Sequence, residues 1–269
     1  VQNNSQNKLQ KNLNTTQRYH RSVVFTFMTV MILPVLATLL YSLSQRWGAT
    51  VLPDSLTFDW YLQLWQDARF LQAFGNSLLL VLGTLVLCTV VIVPTAFVVF
   101  YYFPKLDRWM NILILMQFAV PPVVSSVGLL QLYADGPIPM VGTPWVLVGC
   151  YFTIALPFIY RALATGLQGL NVRDLMDAAH LLGASTPAAF LAIILPNIRK
   201  GLMAALFLSM SFLLGEFVFA NMLVGSRFET LNVYLYSVRG TSGHFTSAIV
   251  MSYFLFTLFV TWLASRLSR

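Results

Sequence analysis

Few side chains in this sequence can do acid–base, nucleophilic or metal chemistry. The 269 residues hold nine carboxylates, three histidines and two cysteines. His20, His180 and His244 are scattered, and no His-Glu-x-x-His run occurs, so neither a metal site nor a hydrolytic site is indicated. No glycine-rich phosphate loop ending in Gly-Lys-Ser/Thr is present, so no nucleotide-phosphate site of that kind is indicated. Cys88 and Cys150 fall in long apolar runs and read as small packing residues. Two placements remain. Glu216 is the one acid well inside an apolar stretch, where an unpaired charge is costly and by default marks function. Asp177-Ala178-Ala179, with Gly183 and then Ile193-x-Leu195-Pro196, forms a more polar run between two apolar segments. The first suits a solute path through a membrane, and the second suits a docking device at its aqueous edge.

The elements that must hold these residues follow from composition. The chain is 58% hydrophobic and 9% charged, against about 25% charged residues in soluble domains. Six segments are long and apolar enough to cross a bilayer: 23–44, 77–100, 110–133, 145–166, 201–224 and 245–267. The expected fold is an all-α membrane protein with six transmembrane helices. Residues 1–20 form a polar cytoplasmic tail with too few apolar groups to bury a core, and are expected to be mobile. Residues 21–269 form one six-span domain with a cytoplasmic loop at 167–200. The first span is too long for a signal-peptide core and reads as retained.

The net charge of +7 is a topology signal rather than a nucleic-acid footprint. Lys8, Lys11, Arg18, Arg21, Lys105, Arg108, Arg161, Arg173, Arg199, Lys200, Arg266 and Arg269 fall on one side. Only Arg46, Arg69, Arg227 and Arg239 fall on the other, a 12 to 4 asymmetry. By the positive-inside rule both termini and the Asp177 loop are cytoplasmic.

Residues 58–74 read as a short amphipathic helix at the outer interface. The third segment contains Pro121 and Pro122, followed by Ser125 and Ser126. A double proline removes two backbone donors and bends or breaks the helix. Irregular backbone at that depth lines a cavity or simply improves packing. The loop 134–144 is rich in glycine and proline, Gly136 and Gly142 among them. Arg161 is expected to snorkel to the inner surface. Glu216 has two readings: a path-facing carboxylate that favours an amine-bearing solute, or a hydrogen-bonded packing residue near Asn221. No clear pair of matching broken helices shows in the two halves of the chain.

In the Asp177 loop, Asn171 is placed to cap a helix over 173–182, and Gly183 to end it. Ser185 or Thr186 starts a second helix with Pro187 in its first turn, and Pro196 is expected to stop it. Phe190, Ile193 and Ile194 share one face of that helix, an apolar knob expected to meet a protein partner.

These residues resemble the signature of type I ABC importer permeases. The family carries Glu-Ala-Ala, three residues, Gly, nine residues, then Ile-x-Leu-Pro. Here Asp177, Ala178, Ala179, Gly183, Ile193, Leu195 and Pro196 match it in order and spacing. Asp177 departs from the family's glutamate: the charge stays, but the reach is shorter. The resemblance implies a coupling helix at about 185–195 that docks on a cytoplasmic ATPase, with Ser185 and Phe190 among its contacts. It implies a cytoplasmic ABC ATPase dimer that binds ATP and magnesium, so this chain carries no cofactor and no catalytic site. It also implies a second permease subunit, expected to be a different chain with a second copy of this one as the alternative, and a periplasmic substrate-binding protein. The setting is a bacterial inner membrane, with lipid and no nucleic acid as further surroundings. The stretches 171–179, 182–185 and 228–237 are closest to the polyamine and aminoalkylphosphonate branch. An ATP-independent secondary transporter or channel is the alternative; it accounts for the spans, the prolines and Glu216 but not for the loop. An intramembrane enzyme lacks a nucleophile–base pair.

Overall fold

The computed structural model describes residues 2–48, 50, 52–135 and 137–267. Gly136, Arg269 and the side chains of Lys8, Lys11 and Arg18 lie outside the described part. The described chain is helical apart from two short strands and its connections, and falls into two units.

One unit comprises residues 1–64 and 239–252. It holds helix α1 (Gln2–Leu43), strands β1 (Ser44–Arg46) and β2 (Ser55–Leu56), most of α2 (Asp59–Gln66) and the start of α11 (Gly243–Leu267). The polar tail expected to be mobile is helical from Gln2 as the first part of α1. The strands pair antiparallel, Ser44 with Leu56 and Arg46 with Ser55. Apolar side chains of α1 such as Val23, Phe25, Met31 and Leu36 are exposed, as on a helix that faces lipid. His244 rivets the end of α1 to the start of α11. Its Nδ1 lies 2.9 Å from the Tyr41 carbonyl and 2.9 Å from the Ser44 hydroxyl. A carbonyl only accepts, so Nδ1 carries the proton. The Tyr41 ring packs at 4.1 Å, and Trp60 stacks at 6.0 Å.

The other unit comprises residues 65–238 and 253–269. Its frame is α3 (Ala68–Tyr102), α6 (Pro144–Gln168) and α9 (Leu195–Leu214), packed on one another around Cys88, Ala96, Leu147, Ala155, Ile159 and Leu163. Small residues let α6 and α9 approach: a Cβ on Gly166 would meet the Ile198 side chain at 3.2 Å. Helix α3 begins earlier than the apolar pattern suggested, so residues 68–74 belong to it and not to an interfacial helix. The cause is Asp67, whose Oδ1 accepts from the Arg69 and Phe70 amides at 2.8 and 3.3 Å.

The same corner pins α10 (Leu231–Val238). The Tyr234 hydroxyl donates to Asp67 at 2.6 Å, and Arg69 forks onto Glu229 at 2.8 and 2.7 Å. The Leu231 amide donates to the Ser77 hydroxyl at 2.8 Å. Burial alone would push the Asp67 carboxyl up, but the bonds from Tyr234 and the two amides outweigh it and hold it below its ordinary value. Such a group adds stability above its unfolded pKa, and the gain is lost as pH falls through the folded value. The amides of residues 231–238 should therefore keep their hydrogen-exchange protection at neutral pH and lose it below about pH 4. Asp67→Asn should remove that acid-dependent step.

Two expected spans are broken. In place of one helix over 110–133 stand α4 (Asp107–Met116) and α5 (Pro122–Tyr133). Pro121 is extended (φ −58°, ψ 141°) and Pro122 opens α5, where a missing amide hydrogen costs nothing. In place of one helix over 201–224, α9 ends at Leu214 and helix resumes at Val218. Among the described residues five helical stretches are long and apolar enough to cross a membrane: 19–43, 68–102, 144–168, 186–214 and 243–263.

Candidate functional site

The Asp177 loop is built by α7 (Val172–Leu181), a tight reversal and α8 (Thr186–Ala189). Val172, Met176 and Ala179 are buried at i, i+4 and i+7, which fixes the inner face of α7. Asp177 and Ala178 are exposed. Gly183 ends α7 in the left-handed region, at φ +85°. Its amide donates to the His180 carbonyl at 2.9 Å, and the Ala184 amide to Ala179 at 3.0 Å, the paired bonds of a Schellman cap. A Cβ on Gly183 would meet nothing within 4 Å, so the dihedral alone demands glycine. His180 Nε2 and the Thr186 hydroxyl lie 3.2 Å apart across the elbow. Asn171 turns its amide onto Asp174 instead of capping, and Ser185 holds the cap position of α8 without a side-chain bond.

Two expectations about this loop are corrected. Pro196 does not stop the helix. A π turn at Phe190–Ile194 widens the backbone just ahead of it, and α8 runs on into α9 as one stretch over 186–214. The proline lacks a donor and crowds the preceding turn, and the wider turn absorbs both. Nor do Phe190, Ile193 and Ile194 form an outward knob. Ile194 is 0% exposed, Phe190 packs on Phe97 at 4.6 Å, and Ile193 and Leu195 are half-buried against the core. The apolar side chains that do point away are Leu181 and Leu182, each 89% exposed, with Leu191 beyond them. The sequence carried the signal: the buried stripe of α7 leaves positions 181 and 182 off its inner face.

The second site is where the two broken helices meet. Gln117, Phe118, Val120 and Pro121 between α4 and α5, and residues 215–217 after α9, line one cavity of about 740 Å³. Contrary to the expectation of no paired breaks, one lies in each half of the chain. Pro121, Pro122, Ser125 and Glu216 all line this cavity. Ser126 does not; it is buried and its hydroxyl donates to the Pro122 carbonyl at 2.8 Å. Gln117 and Cys150, not singled out from sequence, line it too. Both amide atoms of Gln117 are buried without a hydrogen-bond partner.

Glu216 holds its own break open. Its Oε1 accepts from the Phe219 amide at 2.7 Å and its Oε2 from Ala220 at 3.1 Å, capping the resumed helix. Asn232 closes the other side, donating to the Leu214 and Glu216 carbonyls at 2.7 and 2.9 Å. Glu216 therefore faces the cavity and is hydrogen-bonded at once, so its two sequence readings coexist. Its partners are the backbone ahead of it and the Tyr151 side chain rather than Asn221. Carboxylate oxygens have further lone pairs, so the group can still receive a donor from the cavity. Among the described residues no cluster of His, Cys, Asp or Glu could hold a metal.

The family model described as the binding-protein-dependent transport system inner membrane component matches residues 92–269. A Salmonella typhimurium permease, PhnV, named for a 2-aminoethylphosphonate transport system, is 27% identical over 212 residues, 79% of each chain. PotC of Escherichia coli K12, a spermidine/putrescine transport system permease, is 26% identical over 188 residues, 69% of each chain. Among solved structures, a chain of a bacterial ABC transporter involved in import of the acidic polysaccharide alginate superposes with a TM-score of 0.76. Its sequence identity is 16%, and the match covers 97% of this chain and 98% of that one.

Proposed function

The chain belongs to the family of binding-protein-dependent transport system inner membrane components and is the permease subunit of a binding-protein-dependent ABC importer; on that premise we propose how its parts divide the work. Helices α4 and α5 together supply a sixth crossing. Their 10 and 12 residues span about 15 and 18 Å, too short singly and sufficient in tandem. The loop 167–200 and both termini face the cytoplasm, on the 12 to 4 basic asymmetry.

The elbow over 177–196 is the coupling element. Asp177, Ala178 and Ala179 shape its first helix, and Gly183 sets the reversal. Phe190, Ile193 and Leu195 bind it to the frame, while Ser185 at the head of its second helix and Pro196 past the π turn stand exposed. Leu181 and Leu182 are the face that docks on the ATPase dimer, which holds the ATP and magnesium. Because the π turn makes 186–214 one stretch, a displacement of the elbow passes directly into the helix that ends at the cavity. A second permease, a different chain, completes the half-open cavity, and a periplasmic binding protein delivers the solute. Similarity to PhnV and PotC supports an aminoalkylphosphonate or a polyamine as that solute.

The convergence of two helix breaks on one cavity carries the path assignment. A hollow between broken helices, with a few polar groups in an apolar wall, is where membrane transporters hold solutes. Family membership sets aside the ATP-independent transporter, although paired breaks would suit it. The test uses the two native thiols of the importer purified with its partners: Cys150 lines the cavity, and Cys88 is buried in the core. A water-soluble maleimide should label Cys150 in one nucleotide state and not the other, and Cys88 in neither. Labelling of Cys150 that ignores nucleotide would remove the cavity from the path, and purification without an ATPase would remove the coupling assignment.

A further inference from the structure

A second cavity of about 500 Å³ adjoins the first. Phe118 lines both. Phe212 lines the first and Phe158 the second, and their rings stack at 4.8 Å across the divide. The walls are continuous. Along α6, Cys150 and Thr153 line the first cavity, and Pro157 and Arg161 line the second at the same helical spacing. Along α9, Gly201, Ala205 and Leu208 lead to Phe212 and then Glu216. The two hollows are halves of one track, with Glu216 toward one end and Arg161 toward the other.

Arg161 is the sole charged residue lining the second half. It sits two helical turns before the end of α6, inside a helix apolar enough to span a membrane. Among the described residues no carboxylate or other group pairs with it. Snorkelling explains an arginine at a membrane edge, but it does not explain one that lines the same groove as an acid. Arg161 is exposed to that groove at its inner end; an unpaired guanidinium lining a groove in a spanning helix is a binding group by default, and its planar fork of donors suits an oxyanion. The levels of Cys150 and Arg161 on α6 are about 16 Å apart. A small solute therefore meets the two charges in succession and not together.

We propose that Arg161 is an oxyanion-binding site in the inner half of the track, so that the permease passes a small solute bearing both an ammonium and an oxyanion and disfavours a polycation. This rests on the reading of the groove as the solute path. Glu216 serves the amine end in the first half; past the Phe158–Phe212 divide, Arg161 receives the oxyanion. A diamine would instead meet a like charge with no carboxylate beside it.

The experiment is ATP-driven uptake by the complete importer in proteoliposomes, with 2-aminoethylphosphonate and putrescine as probes. Wild type should favour the zwitterion. Arg161→Gln should cut its uptake about ten- to a hundredfold, as expected for one charge-assisted hydrogen bond, and leave or raise putrescine uptake. Arg161→Lys should restore part of the loss. Equal loss of both probes would assign Arg161 a structural pairing and overturn the proposal, as would wild-type preference for putrescine. Vesicles of pure phosphatidylcholine should give the same result as vesicles containing phosphatidylglycerol. An Arg161 effect seen only with the anionic lipid would make a lipid headgroup the ligand and overturn the solute site. Nucleotide-dependent labelling of Cys150 reports on the path separately, so a failed selectivity test with intact labelling rejects the Arg161 site alone.

Discussion

Replacing Leu181 and Leu182 together by serine is expected to detach the ATPase from an otherwise intact permease. Each side chain is 89% exposed in the free chain, and burying a leucine against a partner contributes about 1.5–3 kcal/mol. Losing both removes about 3–6 kcal/mol, or roughly 10²- to 10⁴-fold in affinity. The measurement is titration of the purified ATPase onto permease held in lipid nanodiscs. Membrane insertion and thermal stability of the permease should be unchanged, because neither side chain supports the frame. Phe190→Ala and Ile194→Ala serve as the contrast. Those side chains pack into the core, so truncation should lower the stability of the permease itself by about 2–5 kcal/mol. If Phe190→Ala instead weakened ATPase binding without loss of stability, and the double serine did nothing, the docking face would lie on the other side of the elbow.

That prediction turns on a point the sequence carried only in part. The reversal was legible because one residue type answers it: glycine at 183, where φ is +85°. The inward or outward sense of the next helix was harder to read. Phe190, Ile193 and Ile194 form a clean apolar face, and such a face suits a core as well as it suits a partner. Loop polarity suggested a partner, but the chain folds the face against Phe97 of α3, a contact 93 positions away that no local pattern encodes. Pro196 misled for a related reason. Proline ends most helices, but here a π turn at Phe190–Ile194 carries the helix past it. The break at Pro121-Pro122 was legible because two adjacent prolines leave the backbone little choice. The break at Gly215 had no such mark. Its cause is distributed over the Glu216 side chain, which caps the resumed helix, and Asn232, which holds the end of α9.

That distributed cause can be taken apart. Glu216→Ala should destabilise the permease strongly, because it leaves the Phe219 and Ala220 amides without their acceptor in apolar surroundings. Two orphaned donors cost about 1–3 kcal/mol each, so roughly 2–6 kcal/mol in all. Uptake should vanish with the shape of the cavity. Glu216→Gln keeps one carbonyl acceptor and removes the charge, so most of the fold should survive while uptake of an amine-bearing solute falls. ATPase activity should still respond to the binding protein, since the elbow is untouched. Asn232→Ala supplies the control, loosening the same break from the other side with the carboxylate in place. It should lower stability without altering which solute is preferred. The comparison is read from thermal unfolding in detergent and uptake in proteoliposomes, side by side. If Glu216→Gln transported at the wild-type rate with unchanged preference, the carboxylate would be a helix cap and nothing more. If Glu216→Ala were as stable as wild type, the break would be held by the surrounding packing, and the cap would be incidental. The two roles assigned to this side chain thus stand or fall separately: stability reports on the amides it holds, and solute preference on the charge it turns to the cavity.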